Sequence, residues 1–144
     1  MKKKMKNHKT GSMTTAAAIT MILMTILLAG CGKGGKMEGG FEKDALIAQA
    51  EADITTAESN DFQGWKARFQ PDLQSVLTEE MYTQYLSYLE SIGDFQKFGK
   101  AAVTTQEQNG VVYGVVVYLV EHEGGETKYT IIYDGDMNLV AFNT

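Results

Sequence analysis

Residues 134–138 are of types that can bind a divalent cation. Their sequence, DGDMN, reproduces the D-x-D-x-N opening of a calcium-binding loop, in which carboxylate and amide oxygens are the ligands. The calcium pattern then requires glycine, and this sequence has Leu139 instead. An Asp-Gly pair between two strand-like segments is also a strong signal for a hairpin turn. We therefore predict a turn at this segment and no metal site.

His122 is the next candidate, because an imidazole can ligate a metal or act as a general base. Its neighbours are Glu121 and Glu123, and Gly124-Gly125 follows. Successive side chains of a strand point to opposite faces, so these three side chains cannot converge on one ion. The sequence after Cys31 has no second histidine and no further cysteine to complete a zinc site, so we expect none. The sequence predicts an exposed histidine beside a turn.

Aromatic residues recur three or four positions apart, which is the spacing of one face of a helix. These residues and two strand tyrosines that could face the same space are Phe62, Trp65, Phe69, Tyr82, Tyr85, Tyr88, Tyr113 and Tyr118. Such stripes most often belong to a hydrophobic core. The alternative is the wall of an apolar ligand pocket or a docking face for a partner. The sequence is consistent with both interpretations.

The charge of the chain is distributed unevenly. Of 13 basic residues, five precede Cys31, whereas none of the 18 acidic residues does. The rest of the chain therefore has 8 basic and 18 acidic side chains. This acidic surface repels phosphate backbones, so we expect no nucleic-acid partner. Cys31 is the single cysteine, which excludes an intramolecular disulfide.

The first 31 residues have the organisation of an export signal. A basic segment, residues 1–9, precedes an uncharged and largely apolar run over 14–28. That run is shorter than the ~20 residues of a membrane-spanning helix. Leu28-Ala29-Gly30-Cys31 follows and resembles the lipobox of bacterial lipoproteins: an aliphatic residue, two small residues and a cysteine.

The lipobox resemblance implies a membrane-anchored protein. Cys31 would carry diacylglycerol, and signal peptidase II would recognise Leu28, Ala29 and Gly30 and cleave before Cys31. The chain then divides into a signal peptide (1–30), a lipidated cysteine with a Gly-rich tether (31–40) and one domain (41–144). Two acyl chains give stable anchoring where one does not. The expected location is the extracytoplasmic face of the cell membrane.

The pattern of residues 41–144 predicts an α+β domain. Helices are expected over 41–59, over 62–69 and from Thr78 to Ile92, and strands over 96–108, 111–122, 127–133 and 137–143. Thr78 is a natural N-cap, and Gln70-Pro71 should end the second helix. Asn109-Gly110 is a strong hairpin signal. The sequence thus predicts about three helices packed on a curled four-stranded antiparallel sheet.

Residues 111–120 are apolar at both odd and even positions. A strand that is apolar on both faces is normally covered on both faces. Helices can cover one face of the sheet. The apolar residues on the other face indicate that it lines a pocket, belongs to a curled sheet or binds a partner.

The order of three helices and a curled sheet resembles the cone-shaped nuclear transport factor 2-like fold, and in particular a family of unknown function with that fold. The matching segments are, in order, Asn60-Asp61-Phe62, Leu77-Thr78-Glu79-Glu80-Met81, Ser91-Ile92-Gly93-Asp94-Phe95, the valine-rich strand over 111–120 and the turn at Tyr133-Asp134-Gly135. Some members of the wider fold act on small apolar substrates through an Asp and a Tyr in the cone. The resemblance to the family of unknown function implies no activity and no catalytic residues.

The residues that could supply an Asp and a Tyr are Tyr113, Tyr118, Tyr129, Tyr133, Asp61 and Asp94. Acid–base catalysis needs a carboxyl whose pKa is shifted by burial, and no apolar run forces these residues inside. We therefore expect no enzyme and no cofactor. The leading function is a membrane-tethered binding module for a protein partner, a second copy or a small apolar ligand. The alternative is an isomerase- or hydratase-like enzyme.

Overall fold

The computed structural model describes residues 35–144, in which helices come first and one antiparallel sheet follows. The helices of this part are a 3-10 turn over Glu38–Gly40, α1 (Lys43–Glu58), α2 (Phe62–Ala67), α3 (Pro71–Gln74) and α4 (Glu79–Ile92). The strands are β1 (Phe95–Gln108), β2 (Val111–His122), β3 (Gly125–Tyr133) and β4 (Leu139–Asn143). The predicted α+β class, with helices before a four-stranded antiparallel sheet, is confirmed.

Helix α1 packs along the sheet through one apolar stripe. The fully buried residues of the stripe are Leu46, Ala50, Ile54 and Ala57. Their spacing of three or four residues keeps them on one side of the helix. Leu46 approaches β2 closely, since a Cβ built on Gly114 would lie 2.8 Å from Leu46 Cδ2. Glycine at position 114 therefore lets the helix and the strand come together.

Two short helices connect α1 to α4. Asp61 begins α2 by accepting a hydrogen bond from the N–H of Gly64 (2.9 Å). The sequence predicted that Pro71 ends a helix, but α2 already ends at Ala67, and Pro71 opens α3. Proline suits the first position of a helix because an N–H has no partner there. The structure thus adds a four-residue helix to the three predicted.

Helix α4 begins and ends at the predicted residues. Thr78 Oγ1 accepts a hydrogen bond from the N–H of Met81 (3.2 Å), which satisfies one free donor of the first turn. Gly93 follows the last turn with φ 85°, a left-handed conformation that favours glycine. The buried Tyr82 hydroxyl donates to Ala57 O (2.6 Å) and so joins α4 to the end of α1. Neither α4 nor another helix within residues 35–144 is long and apolar enough to cross a membrane.

The strands lie in the order β1-β2-β3-β4, and each is antiparallel to the next. Asn109 and Gly110 make the first turn with φ of 53° and 80°, as the predicted hairpin requires. The pairing of β1 with β2 shifts between Phe98 and Ala101, and such bulges bend a strand. The predicted meander is therefore present, with a bend in its first strand.

Strand β2 has apolar residues on both faces, but the two faces have different surroundings. On the inner face, Val116, Tyr118 and Val120 belong to the core that the helices cover. The residues of the outer face are Tyr113, Val115, Val117 and Leu119, and none of them belongs to that core. Val115 is buried, whereas the other three are partly exposed. The helices of residues 35–144 thus cover one face of the sheet.

Candidate functional site

A pocket of about 610 Å³ opens between the end of α1, the last turns of α4 and the start of β1. Its apolar walls are formed by Ile54, Leu86, Leu89, Phe95 and Phe98. Its polar lining is formed by Thr55, Glu58, Ser59, Asn60, Glu90, Asp94 and His122. Protein pockets that bind small molecules commonly have a volume of roughly 300–1,000 Å³ and mostly apolar walls. The pocket has the size and composition of such a site.

Glu58 and His122 are the most deeply buried polar residues of the pocket, and we call them the floor pair. His122 Nε2 lies 3.2 Å from Glu58 Oε1, and the two side chains are 1% and 13% exposed. A buried polar group costs free energy unless it is hydrogen-bonded, so each residue stabilises the other. Glu58 Oε2 has no hydrogen-bond partner within residues 35–144, which leaves one oxygen for a ligand.

Two tyrosines hold Glu58 from the side of the sheet and of α4. The hydroxyl of Tyr129 donates to Glu58 Oε1 (2.6 Å), and the hydroxyl of Tyr85 lies 2.8 Å from that of Tyr129. Burial, and then the neighbouring Tyr85 and Glu58, raise the pKa of Tyr129. Burial also raises the pKa of Tyr85. Both hydroxyls therefore keep their protons at neutral pH, so Tyr129 orients the carboxylate as a hydrogen-bond donor and Tyr85 supports Tyr129.

His122 is held on its other side by a second set of hydroxyls. Its Nδ1 lies 3.4 Å from Thr127 Oγ1, which lies 3.3 Å from the hydroxyl of Tyr88. When the imidazole is neutral with Nε2–H directed at Glu58, Nδ1 can accept from Thr127, and Tyr88 can donate to Thr127. Both nitrogens of the imidazole thus have partners. This arrangement fixes the ring and, through it, the position of Glu58.

The prediction of an exposed His122 is wrong. The residue is 6% exposed, because β2 continues to its position and every second side chain of the strand points to the inner face. Tyr118 and Val120 precede it on that face, so the alternation was a usable signal. Glu58 was missed as well, although it follows the buried Ile54 by four residues and thus extends the stripe of α1.

Backbone hydrogen bonds fix the rim of the pocket. The N–H of Gly124 donates to Ile92 O (2.7 Å), and the N–H of Glu123 donates to Asp94 O (3.0 Å). These bonds join the β2–β3 turn to the connection between α4 and β1. These bonds hold the end of α4 next to the residues that follow His122. Backbone hydrogen bonds thus fix this side of the pocket.

The aromatic residues predicted as a pocket or docking wall do not line this pocket. Those that belong to the hydrophobic core or pack against it are Phe62, Trp65, Phe69, Tyr82, Tyr85 and Tyr118. The rings of Trp65 and Tyr82 stack with centroids 5.1 Å apart, and Phe69 meets Trp65 edge-on at 4.9 Å. Tyr113 lies partly exposed on the outer face of β2. The core interpretation is thus the one that the structure supports for the helical stripes.

A family described as "Protein of unknown function (DUF3887)" matches residues 50–142, which is more than half of the chain. The chain belongs to this family. The DUF3887 domain is also similar to a solved structure, "NMR structure of protein from Ruminococcus gnavus ATCC 29149", with 44% sequence identity and a TM-score of 0.69. The match covers 78% of this chain and 100% of that chain, so a protein made of this domain alone folds. No curated protein matches the chain in sequence.

The DUF3887 domain contains an Asp–Tyr pair, but this pair lies in the packed core. Asp53 is 1% exposed and accepts hydrogen bonds from the Tyr133 hydroxyl (2.7 Å) and from Arg68 Nε (2.6 Å). Burial, and then Asp53, raise the pKa of Tyr133. Of the aspartates considered from the sequence, Asp61 caps α2, and Asp94 is exposed at the rim of the pocket. The pocket thus brings no Asp together with a Tyr.

The calcium-like segment of the DUF3887 domain forms a turn. Asp134 Oδ1 accepts hydrogen bonds from the N–H groups of Asp136 and Asn138 (2.9 Å each), and Oδ2 accepts from Gln70 Nε2 (2.7 Å). Partial burial raises the pKa of Asp134, but the bonds from Gln70 and Asn138 outweigh it, and the pKa is lowered overall. Within residues 35–144, no cluster of three or more His, Cys, Asp or Glu could hold a metal.

The predicted lipidation site lies outside the described residues. This holds for Cys31 and for Leu28, Ala29 and Gly30, which the resemblance assigns to recognition by the signal peptidase. The division of the chain into residues 1–30, 31–40 and 41–144 stays a prediction from the sequence.

Proposed function

We propose that this protein is a membrane-tethered, non-catalytic lipoprotein whose domain binds a small, largely apolar ligand above the floor pair. The observation that carries the proposal is the pocket of about 610 Å³, with apolar walls and one carboxylate oxygen that its neighbours leave free. Sites that combine apolar walls with a few placed polar groups are where small ligands bind.

The polar groups of the pocket favour binding over catalysis. A general base must come within hydrogen-bond reach of the proton that it removes. His122 is 1% exposed at its side chain, and both its nitrogens face protein groups. It therefore orients Glu58 and does not itself meet a ligand. The isomerase- or hydratase-like alternative has no Asp–Tyr pair in the pocket to support it.

Binding can be tested by native mass spectrometry of residues 35–144 after incubation with a detergent-free extract of the cell envelope. A reproducible added mass of a few hundred daltons would support the proposal. Ser59→Trp places a large ring at the mouth of the pocket and should abolish the added mass. Ser91→Trp, on an exposed position of α4 that does not line the pocket, is the matched control. Equal added mass in both variants would contradict a ligand in this pocket.

The tether rests on the lipobox-like segment Leu28-Ala29-Gly30-Cys31 and on the basic and apolar segments before it. Two acyl chains on Cys31 would hold the protein stably at the outer face of the cell membrane. In cells supplied with labelled palmitate, the native chain should take up label, and Cys31→Ser should remain an unlabelled, uncleaved precursor. Labelling of that variant would contradict the assignment.

Self-association through the outer face of the sheet is a second candidate function. Val117 and Leu119 are partly exposed there, and the register places Ile132 of β3 beside Val115 on the same face. An uncovered apolar surface of a sheet favours a partner. Sedimentation of residues 35–144 over a range of concentrations would show a dimer that Leu119→Glu dissociates. A monomer at all concentrations would remove this candidate.

The order of elements supports a finer proposal for the fold as well. Helices that precede a bent antiparallel meander, with a pocket at one end between helix and sheet, are in keeping with the cone-shaped nuclear transport factor 2-like fold. A fold of this kind hosts many functions, so it adds nothing to the choice of ligand.

A further inference from the structure

The pocket is acidic, and its charge comes from three separate elements. Glu58 lies at the end of α1, Glu90 in the last turn of α4 and Asp94 directly before β1. No lysine or arginine is among the residues that line the pocket. A ligand that enters it therefore meets negative charge at the rim and again at the floor.

Helix α1 carries three carboxylates that accept a hydrogen bond from a tyrosine of the sheet. Tyr118 donates to Glu51 (2.6 Å), as Tyr133 does to Asp53 and Tyr129 to Glu58. Their counter-charges differ. Asp53, which is 1% exposed, has the guanidinium of Arg68 at 2.6 Å. Glu58 is only 13% exposed, yet within residues 35–144 it has no lysine or arginine in contact.

A mostly buried carboxylate is stable when a positive charge is close to it. His122 donates one hydrogen bond to Glu58 Oε1, and Oε2 accepts none from residues 35–144. Within residues 35–144 the one basic group in contact with Glu58 is His122, which is charged only when protonated, so Glu58 has no permanent cation of the kind that Arg68 provides for Asp53. A cation in the pocket would supply that charge.

Two aromatic rings also line the pocket, and one of them lies beside the floor pair, since the ring centroids of Phe95 and His122 are 6.3 Å apart. Phe95 and Phe98 line the pocket with centroids 5.0 Å apart in an edge-to-face arrangement, and Phe95 is 42% exposed. The face of an aromatic ring attracts an ammonium group. Leu86, Leu89 and Ile54 complete the apolar part of the wall.

We infer that the ligand of this pocket is a small organic cation, an amine or quaternary ammonium joined to an apolar body. This inference rests on the proposed function, because it assigns the ligand class of the same pocket. The ammonium group lies against Glu58 Oε2, and the apolar body fills the space between Phe95, Phe98 and Leu86. An anionic amphiphile would be repelled by Glu58, Glu90 and Asp94, and a neutral one would bring no positive charge to Glu58.

Three probes of nearly equal shape test this assignment: 4-phenylbutylamine, 4-phenylbutanol and 4-phenylbutyrate. Binding to residues 35–144 would be followed by NMR shifts of the backbone amides around the pocket, which give both the site and the Kd. We expect the amine to bind roughly tenfold or more tightly than the alcohol, and the carboxylate to bind weakest. Added salt should weaken the binding of the amine and leave the binding of the alcohol unchanged.

Glu58→Gln keeps the size of the side chain and an oxygen for the bonds from Tyr129 and His122. It should remove the preference for the amine over the alcohol and retain the binding of the alcohol. Glu51→Gln is the matched control, since Glu51 also accepts from a tyrosine of the sheet but does not line the pocket. Phe95→Leu changes an exposed ring without a risk to the core and should also lower the amine-to-alcohol ratio.

The outcomes separate the two proposals. If the amine binds best and Glu58→Gln abolishes that preference, the cation assignment stands. If the alcohol or the carboxylate binds at the pocket as well as the amine, the cation assignment is overturned and the pocket remains a ligand site. If none of the three probes shifts the amides around the pocket, both the ligand class and the proposed binding function are overturned.

Discussion

Replacing Arg68 by methionine should destabilise the domain much more than removing a lysine from its surface. Arg68 Nε donates to Asp53 Oδ1 (2.6 Å), and its Nη2 donates to Met137 O (2.7 Å). Methionine keeps much of the apolar stem but cannot neutralise Asp53, which is 1% exposed. The variant therefore leaves a buried carboxylate without its cation.

The size of the loss follows from the burial of the pair. Removal of one partner of a buried ion pair costs about 3–5 kcal/mol, because the other charge stays buried. Arg68 is 31% exposed, so water screens part of the interaction, and Tyr133 and Gln49 still donate to Asp53. We therefore expect the free energy of unfolding to fall by about 2–4 kcal/mol.

Urea unfolding of residues 35–144, followed by circular dichroism, measures this loss. Lys97→Met is the matched control, because Lys97 Nζ lies 3.3 Å from Glu121 with both side chains well exposed, at 66% and 45%. An exposed pair of this kind contributes about 0–1 kcal/mol. A loss in Arg68→Met no larger than that in Lys97→Met would refute the view that Asp53 depends on Arg68.

Two further predictions concern stability. Burial raises the pKa of Tyr118 to about 12, and it also raises those of Tyr85, Tyr129 and Tyr133. The folded state thus keeps phenol protons that the unfolded chain releases near pH 10. The contribution of these tyrosines to the free energy of unfolding is therefore fully present below about pH 10. Above that pH, the free energy of unfolding falls by up to about 1.4 kcal/mol per pH unit for each such tyrosine. Urea unfolding from neutral to alkaline pH, with absorbance of phenolate, measures this, and a flat profile would contradict it. Thr78→Ala removes the N-cap of α4 and should cost about 1 kcal/mol in the same assay, with Thr83→Ala on the exposed middle of α4 as control.

Local features of the fold could be predicted because short-range chemistry decides them. The N-cap at Thr78, the stop at Gly93 and the hairpin at Asn109-Gly110 each depend on a few adjacent residues, and all three are present. Pro71 shows the limit of such signals. A proline can follow the end of a helix or begin one, and the fold uses the second option.

The floor pair could not be predicted in the same way. Glu58 and His122 are 64 positions apart, and only the packing of α1 across the sheet brings them together. Each had a weak local signal, helical spacing for Glu58 and strand alternation for His122, but a charged residue at a helix end or a strand end is usually solvated. The aromatic stripes, in contrast, had a strong local signal, and it marked the core and not the pocket.

The three tyrosine–carboxylate bonds between α1 and the sheet explain why the same helix is both a structural element and the wall of a site. Tyr118 and Tyr129 are direct partners on β2 and β3, while their acceptors, Glu51 and Glu58, are two turns apart on α1. The helix therefore crosses these strands obliquely, and its last turn reaches the open end of the sheet. There no lysine or arginine of residues 35–144 contacts Glu58. Glu58 is thus the third of these anchors, and it also lines the pocket with a carboxylate of which one oxygen has no partner among residues 35–144.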